Sequence, residues 1–224
     1  MNVPISHETK KEFQLERMVL FSDAVFAIAI TLLIIDLKIP DLPPPVTGQK
    51  LSESVISLIP KFVGFILSFF IIGLYWTIHH RIFGFVIGYS NKLVWLNLIF
   101  LFGIVLMPFS TAFYSEYLLE YLKLPVIFYT INISFLGVMN YIIWKYISNP
   151  RNHLTENLPP ILPQYYSFRA LAVPVIFMIM LALYLYFPTY AVFIPPLIPL
   201  IMFFISKYYK RKMSRFPGKP KRRF

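Results

Sequence analysis

The sequence predicts an all-α integral membrane protein with six transmembrane helices. Of its 224 residues, 58% are hydrophobic and only 14% are charged, and the mean hydropathy is +0.66. A soluble domain of this size cannot hide so much apolar surface in its core. The chain has no cysteine, which excludes a disulfide, a thiol nucleophile and a thiolate metal site. The composition therefore assigns the chain to the helical membrane proteins.

Six apolar runs account for the predicted spans. A bilayer core of roughly 30 Å is crossed by about 20 apolar residues in an α-helix. The start of the second run is left open between Leu51 and Phe62, because Pro60 and Lys61 interrupt it. The predicted spans are 18–39, 55–78, 93–113, 124–146, 169–187 and 189–206.

The last two runs are separated only by Pro188 and its neighbours, which predicts a tight helical hairpin. Proline lacks the amide hydrogen that an α-helix uses, so prolines inside a span bend it, and neighbouring helices accommodate the bend. Kinks are expected at Pro174, Pro195, Pro196 and Pro199.

The distribution of basic residues predicts the orientation. An even number of spans places both termini on one side. Of the 21 Lys and Arg, all but Lys38, Lys50, Lys61 and Lys123 fall on that side. The positive-inside rule then predicts that both termini are cytoplasmic. The net charge is +11, but the basic residues are distributed according to the side of the membrane and do not cluster on one soluble face. No nucleic-acid partner is therefore expected. We predict one transmembrane domain at 1–206 and a basic cytoplasmic tail at 207–224, solvated near anionic headgroups.

The first span, RMVLFSDAVFAIAITLLII from Arg17 to Ile35, carries charged residues at its entrance and one hydroxyl further in. Arg17 and Asp23 are six positions apart, about 120° around a helix, so they do not pair with each other and each needs a partner from another helix. One predicted stripe contains Phe21, Ala24, Ile28, Thr31, Leu32 and Ile35. The opposite side contains Phe26, Ile30, Leu33 and Leu37, with Asp23 beside them.

Polar residues at the same predicted membrane level supply partners for Asp23 and Ser22. The second span ends with Trp76, His79 and His80, and Asn97 lies about one turn inside the third. Their N–H groups are donors, and polar contacts of this kind join membrane helices. Adjacent histidines diverge by about 100° on a helix and no intramembrane carboxylate or cysteine completes a tetrahedron, so a metal site at His79 and His80 is not expected. A proton relay through Asp23 and His79 stays an alternative.

The entrance of the first span resembles the transmembrane protein 175 (TMEM175) family of potassium channels. RMVLFSD matches the R-x-x-x-F-S-D signature through Arg17, Phe21, Ser22 and Asp23. The following AVFAIAITLL, the WTIHHR of the second span and the WLNLIFLF and PFST of the third also look like the prokaryotic branch. The resemblance covers about residues 12 to 113, and beyond that only span number and hydropathy agree.

The resemblance implies a potassium-permeable channel without the T-V-G-Y-G carbonyl filter, which this chain also lacks. In the family the first helix lines the pore, which places Ile28 at a hydrophobic bottleneck, Thr31 at a hydroxyl layer and Ile35 further out, on the stripe that also holds Ala24. Prokaryotic members are single-repeat tetramers, which implies a homotetramer in a prokaryotic plasma membrane. Potassium ions, lipid and other copies of the chain are the implied partners, with no cofactor.

Two other functional classes were weighed against a channel. A proton-coupled secondary transporter or exchanger would use Asp23 and His79, but we detect no inverted repeat in the sequence. An intramembrane enzyme would need paired carboxylates or a metal cluster within the spans. The sequence shows neither, so no enzymatic activity is expected.

Overall fold

A computed structural model describes residues 7–156, 158–191 and 193–213 of the chain. The regular secondary structure of its described residues is helical, and six segments are long and apolar enough to cross a bilayer, which confirms the predicted fold class. These segments are Glu12–Asp36, Gly48–Phe83, Asn91–Glu116, Lys123–Ile147, Ile161–Tyr184 and Pro188–Lys212.

The first span is a helix that extends well beyond the predicted apolar run. Helix α1 runs from His7 to Leu32 and ends in a 3₁₀ turn at Leu33–Asp36. The predicted start at residue 18 marked the onset of the apolar run. The helix starts earlier because the polar residues before it also favour helix and need no apolar environment.

Two of the spans are divided by proline. The second consists of α2 (Gly48–Ser57) and α3 (Ile59–Phe83), and Pro60 lies in the first turn of α3. The third consists of α4 (Asn91–Val105) and α5 (Met107–Glu116), with Pro108 in the first turn of α5. Proline is tolerated in a first turn because the amide it lacks would have no acceptor within the helix. The start of the second span, which the sequence left open between Leu51 and Phe62, therefore coincides with a break between two helices at Leu58.

The fourth and fifth spans form the centre of the molecule. Helices α6 (Lys123–Ile147) and α7 (Ile161–Tyr184) pack side by side. At their crossing, a Cβ added to Gly137 would overlap the Pro174 ring and lie 2.8 Å from the Ala170 carbonyl oxygen. The absence of a side chain at Gly137 lets the two backbones approach at the proline-containing part of α7. Helix α7 begins eight residues before the predicted start at 169, so Arg169 lies inside the helix.

The sixth span is less regular than the others. It begins with the short α8 (Pro188–Ala191), which only Leu185–Phe187 separate from α7, and passes through a 3₁₀ turn at Pro195–Leu197. Helix α9 then runs from Ile198 to Met213. The predicted domain boundary at 206 falls within α9, and the predicted tail from 214 onward lies outside the described residues.

The bundle places α1 at one side, against α3 and α4, while α4 also packs on α6. At the end opposite the termini, Lys61 of α3 forms an ion pair with Glu116 of α5, with 2.6 Å between Nζ and Oε2. This contact joins the two proline-broken spans where α3 begins and α5 ends.

Candidate functional site

Helix α1 has a buried face and an exposed face. Ser22, Phe26, Ala29 and Leu33 are buried against the rest of the bundle, and they recur every three or four residues. Ile30, which the sequence placed on the same side, is half-buried and packs on the core.

The predicted stripe lies on the exposed face of α1. Ile28 is 59% exposed and Ile35 is 62% exposed in the single chain. The other stripe residues, Phe21, Ala24, Thr31 and Leu32, are exposed as well. An uncovered face of this kind is available to lipid or to other copies of the chain.

Thr31 presents an oxygen with free lone pairs on this exposed face. Its Oγ1 lies 2.9 Å from the Ile28 carbonyl oxygen and 3.1 Å from the Ala27 carbonyl oxygen, so its hydrogen is shared between them. A hydroxyl that donates to its own backbone keeps its lone pairs for a water hydrogen or a cation. Thr31 thus leaves an acceptor oxygen uncovered in the middle of an apolar stripe.

Ser22, Asn97 and His79 form a buried chain of hydrogen bonds between α1, α4 and α3. The Ser22 hydroxyl donates to the Met18 carbonyl oxygen, and Asn97 Nδ2 donates to Ser22 Oγ at 2.8 Å. Asn97 Oδ1 lies 2.8 Å from His79 Nε2. An amide oxygen can only accept, so Nε2 carries the hydrogen and the direction of every bond in the chain is determined.

Aromatic rings surround the imidazole of His79. The ring stacks on Phe83 with centroids 4.2 Å apart and on Phe100 with centroids 5.6 Å apart, and Phe26 of α1 is also at 5.6 Å. His79 Nδ1 is buried and has no hydrogen-bond partner among the described residues. The rings fix the plane of the imidazole, and with it the position of Asn97.

Asp23 has a different partner and a more open position. Trp76 Nε1 donates to Asp23 Oδ1 at 2.9 Å, and the indole stacks on His80 with centroids 5.6 Å apart. Trp76 is 41% exposed, whereas His79 is only 2% exposed. We call Ser22, Asp23, Trp76, His79 and Asn97 the α1 network, because together they attach α1 to α3 and α4.

Three of the residues singled out in the sequence stay outside this network. Arg17 was expected to find a partner on another helix, but its guanidinium lies over the Phe13 ring of α1 itself, 5.7 Å from the centroid. Arg17 lies in the polar N-terminal part of helix α1 and is exposed, so its charge can remain hydrated. Phe21 is exposed, and His80 contacts Trp76 without joining the hydrogen bonds.

The geometry bears on the proton-relay and metal alternatives. Asp23 accepts from Trp76 and His79 pairs with Asn97, so the two residues make no direct hydrogen bond. Across the described residues, no group of three metal-binding side chains comes together.

A second polar cluster was missed by the sequence reasoning. Ser68 Oγ lies 2.7 Å from Tyr129 Oη and accepts from Thr111 Oγ1 at 2.7 Å, joining α3, α5 and α6. Nearby, Asn132 Nδ2 donates to Ser110 Oγ at 3.1 Å. We call these five residues the Ser68 cluster. The sequence does contain a signal for this cluster, because each of three predicted spans has a polar side chain deep inside it. Only the polar residues level with the entrance of α1 were considered as partners.

Both the sequence and the fold of this chain are similar to those of known proteins. Residues 17–108 match the family model described as the endosomal/lysosomal potassium channel TMEM175. A potassium channel of Streptomyces collinus is 39% identical over 104 residues, which are 46% of this chain and 49% of that protein. A potassium channel of Chamaesiphon minutus is 38% identical over 113 residues, covering 50% of this chain and 55% of that protein. The chain thus spans about half the length of these relatives.

The fold agrees over a larger part of the chain. The crystal structure of a lysosomal potassium-selective channel TMEM175 homolog from Chamaesiphon minutus aligns with a TM-score of 0.69 at 25% identity. The alignment covers 88% of this chain and 98% of that one, so it extends into the later spans, beyond the residues 17–108 that the family model matches. From the signature at the entrance of α1, the sequence matches and the six-span fold together, we conclude that this chain belongs to the TMEM175 family of ion channels.

Proposed function

We propose that this chain forms a potassium-permeable channel in which four copies surround one axis and α1 of each copy lines the pore. The bacterial relatives from Streptomyces collinus and Chamaesiphon minutus are named potassium channels, and the family model matches residues 17–108, which include most of the membrane-spanning part of α1. The two basic termini would face the cytoplasm, and the membrane would be the plasma membrane of a prokaryote.

The observation that carries this proposal is the exposed stripe of α1. Ala24, Ile28, Thr31 and Ile35 are uncovered in one protomer, and a single stripe encloses nothing. Closed cyclic symmetry would bring identical stripes together. The buried row on the opposite side of α1 and the α1 network would hold each stripe at a fixed rotation.

The chemistry of the stripe fits a narrow, largely dry conduit. Four Ile28 side chains near the axis would form a neck that excludes hydrated ions by dewetting, unless the helices move apart. A potassium ion sheds water more readily than a sodium ion because its hydration is weaker, so such a neck favours K⁺. The lone pairs of Thr31, one turn further along, would receive the partly dehydrated ion.

Replacement of Ile28 by Asn tests the neck. An amide at this level should wet the constriction, so we expect the single-channel conductance to rise several-fold and the preference for K⁺ over Na⁺ to fall. Single-channel currents and reversal potentials of the purified protein, in planar bilayers under mixed K⁺ and Na⁺ gradients, measure both quantities. An unchanged conductance and reversal potential would place the constriction elsewhere and leave the stripe as a packing face.

The matched control is Ile30→Asn, the same change on the half-buried side of α1. It should lower the yield of assembled protein without altering ion preference in the channels that form. Thr31→Val, which keeps the side-chain shape, should reduce current or selectivity with assembly intact. The mass of the complex in mild detergent or nanodiscs tests the tetramer separately, and a monomer alone would exclude it.

A further inference from the structure

Arg169 is a charged residue inside the bundle that the proposed channel does not use. It lies about 12 Å along α7 from the start of that helix at Ile161 and is only 6% exposed. An arginine within a membrane span is costly unless something compensates its charge. Its surroundings therefore indicate what that compensating group is.

The contacts of Arg169 satisfy part of its guanidinium. Nη1 donates to Tyr165 Oη at 2.9 Å, and the guanidinium carbon lies 5.6 Å from the centroid of the same ring. Nε is buried and has no acceptor among the described residues. A guanidinium usually makes charge-assisted bonds with a carboxylate or phosphate, and no carboxylate in the described part of the chain makes one with Arg169.

Charge compensation from the neighbouring helices is absent too. Helix α7 packs against α6, α8 and α9, and none of these four helices contains Asp or Glu. Glu156, in the loop before α7, is exposed, and within the described part of the chain no carboxylate forms an ion pair with Arg169. The positive charge thus lacks a counter-charge from the bundle.

A hydroxyl of α9 lies beside the Tyr165 hydroxyl that Arg169 contacts. Ser206 Oγ is 3.1 Å from Tyr165 Oη. Tyr165 Oη already accepts from Arg169, so whichever hydroxyl donates to the other, one hydroxyl hydrogen of the pair is left without an acceptor. The hydroxyl pair and Arg169 Nε therefore each keep a donor hydrogen with no acceptor among the described residues, and an acceptor group would satisfy them.

The location decides the kind of acceptor. Arg169 reaches toward the end of the bundle where α7 begins and α9 ends, and the last turn of α9 carries Lys210, Arg211 and Lys212. Basic pockets between transmembrane helices at this level suit lipid headgroups, and a phosphodiester supplies both the negative charge and the acceptor oxygens. We propose that the seam between α7 and α9 at Arg169 and Ser206 binds the phosphate headgroup of an anionic phospholipid from the leaflet on the side of the chain termini.

The test is lipid retention by the full-length protein, measured by native mass spectrometry after purification in mild detergent. The protein is titrated with phosphatidylglycerol, with phosphatidylcholine and with inorganic phosphate. We expect phosphatidylglycerol to bind at least about tenfold more tightly than phosphatidylcholine, and inorganic phosphate to compete poorly because it lacks acyl chains. Equal retention of the two lipids, or full competition by inorganic phosphate, would overturn the proposal.

Variants of matched charge locate the site. Arg169→Gln should lower the affinity for phosphatidylglycerol about tenfold, and Arg169→Lys should restore most of it because the charge returns. Arg151→Gln removes the same charge from an exposed position at the same end of the bundle and should bind like the wild type. Wild-type binding by Arg169→Gln, or equal loss in the Gln and Lys variants, contradicts a headgroup site and leaves Arg169 a purely structural residue.

Ser206→Ala keeps the test decisive if the Arg169 variants do not assemble. This change removes one hydroxyl and leaves Arg169 and the Tyr165 ring in place, so the fold should persist. We expect a several-fold loss of phosphatidylglycerol binding with no change for phosphatidylcholine. Unchanged phosphatidylglycerol binding would remove Ser206 and the seam from the site.

Discussion

The α1 network and the Ser68 cluster both join helices through polar side chains, but they differ in their access to the surroundings. In the Ser68 cluster, Ser68 and Tyr129 are 0% exposed, and the bonds link α3, α5 and α6 within the bundle. In the α1 network, the Ser22–Asn97–His79 chain is equally buried, yet the bond from Trp76 to Asp23 lies at the surface, where Trp76 is 41% exposed.

This difference separates a fixed part of the molecule from a part that can be displaced. A buried hydrogen bond is costly to break because its groups find no replacement partner, while an exposed one exchanges with water or a neighbouring protomer. We therefore expect α3, α5 and α6 to behave as a rigid frame. Two groups of hydrogen bonds attach helix α1 to its neighbours: the buried Ser22–Asn97–His79 chain and the exposed bond between Asp23 and Trp76. Displacement of α1 should break the exposed bond first.

Asn97→Leu is expected to have the largest effect, because it breaks the buried part of the α1 network. It leaves His79 Nε2–H without its acceptor and Ser22 without its donor, at a cost of about 2–4 kcal/mol. The free energy of unfolding in mixed detergent micelles should fall by that amount. A cysteine introduced at the buried position Ala29 should also become accessible to a thiol reagent. Asn97→Gln, which keeps the amide, is the control for the loss of polarity.

Ser68→Ala should have an intermediate effect, because the Ser68 cluster has remaining bonds. In the variant the single hydroxyl hydrogen of Thr111 is free to bind the Met107 carbonyl oxygen, which lies 2.7 Å from Oγ1, so Tyr129 is the main residue left without a partner. We expect a loss of about 1–2 kcal/mol in unfolding free energy, measured as above, with reversal potentials unchanged. A change in ion preference without loss of stability would show that the frame is not separate from the pore.

Trp76→Phe should have the smallest effect on stability. It keeps an aromatic ring against His80 but removes the N–H that binds Asp23. Cross-helix hydrogen bonds in membrane proteins average about 0.6 kcal/mol, so a loss of about 0.5–1 kcal/mol is expected. Channel opening should nevertheless change, because this bond restrains α1.

A double-mutant cycle with Asp23→Ala sharpens this last point. If the two side chains act only through their shared bond, the effect of Trp76→Phe on stability should vanish in the Asp23→Ala background. Full additivity of the two changes would mean that the bond between Asp23 and Trp76 does not restrain α1. Open probability in bilayers and unfolding free energy are measured on the same four proteins.

Much of the site lay within reach of the sequence. Asp23, Trp76, His79 and Asn97 are polar residues near the same ends of apolar runs, and in a membrane such groups seek one another. The sequence did not predict their pairing, in which Asp23 takes Trp76 and leaves His79 to Asn97. That choice depends on the rotation and crossing of three helices. Arg17 was expected to have a partner on another helix, whereas its guanidinium lies over the Phe13 ring of α1 itself, because the sequence does not show how far a residue lies from water.

The amino-acid sequence by itself determined the six apolar spans and the stripe on α1, because hydropathy and helical periodicity are local properties that tertiary contacts do not alter. Only the tertiary structure decided the burial of Arg169 within the bundle and the meeting of Ser68, Thr111 and Tyr129. Each of these depends on which side chains face one another across helices distant in sequence. The free energy of those contacts depends on differences of a few tenths of an ångström in the distance between two atoms. The order of residues along the chain does not specify such distances.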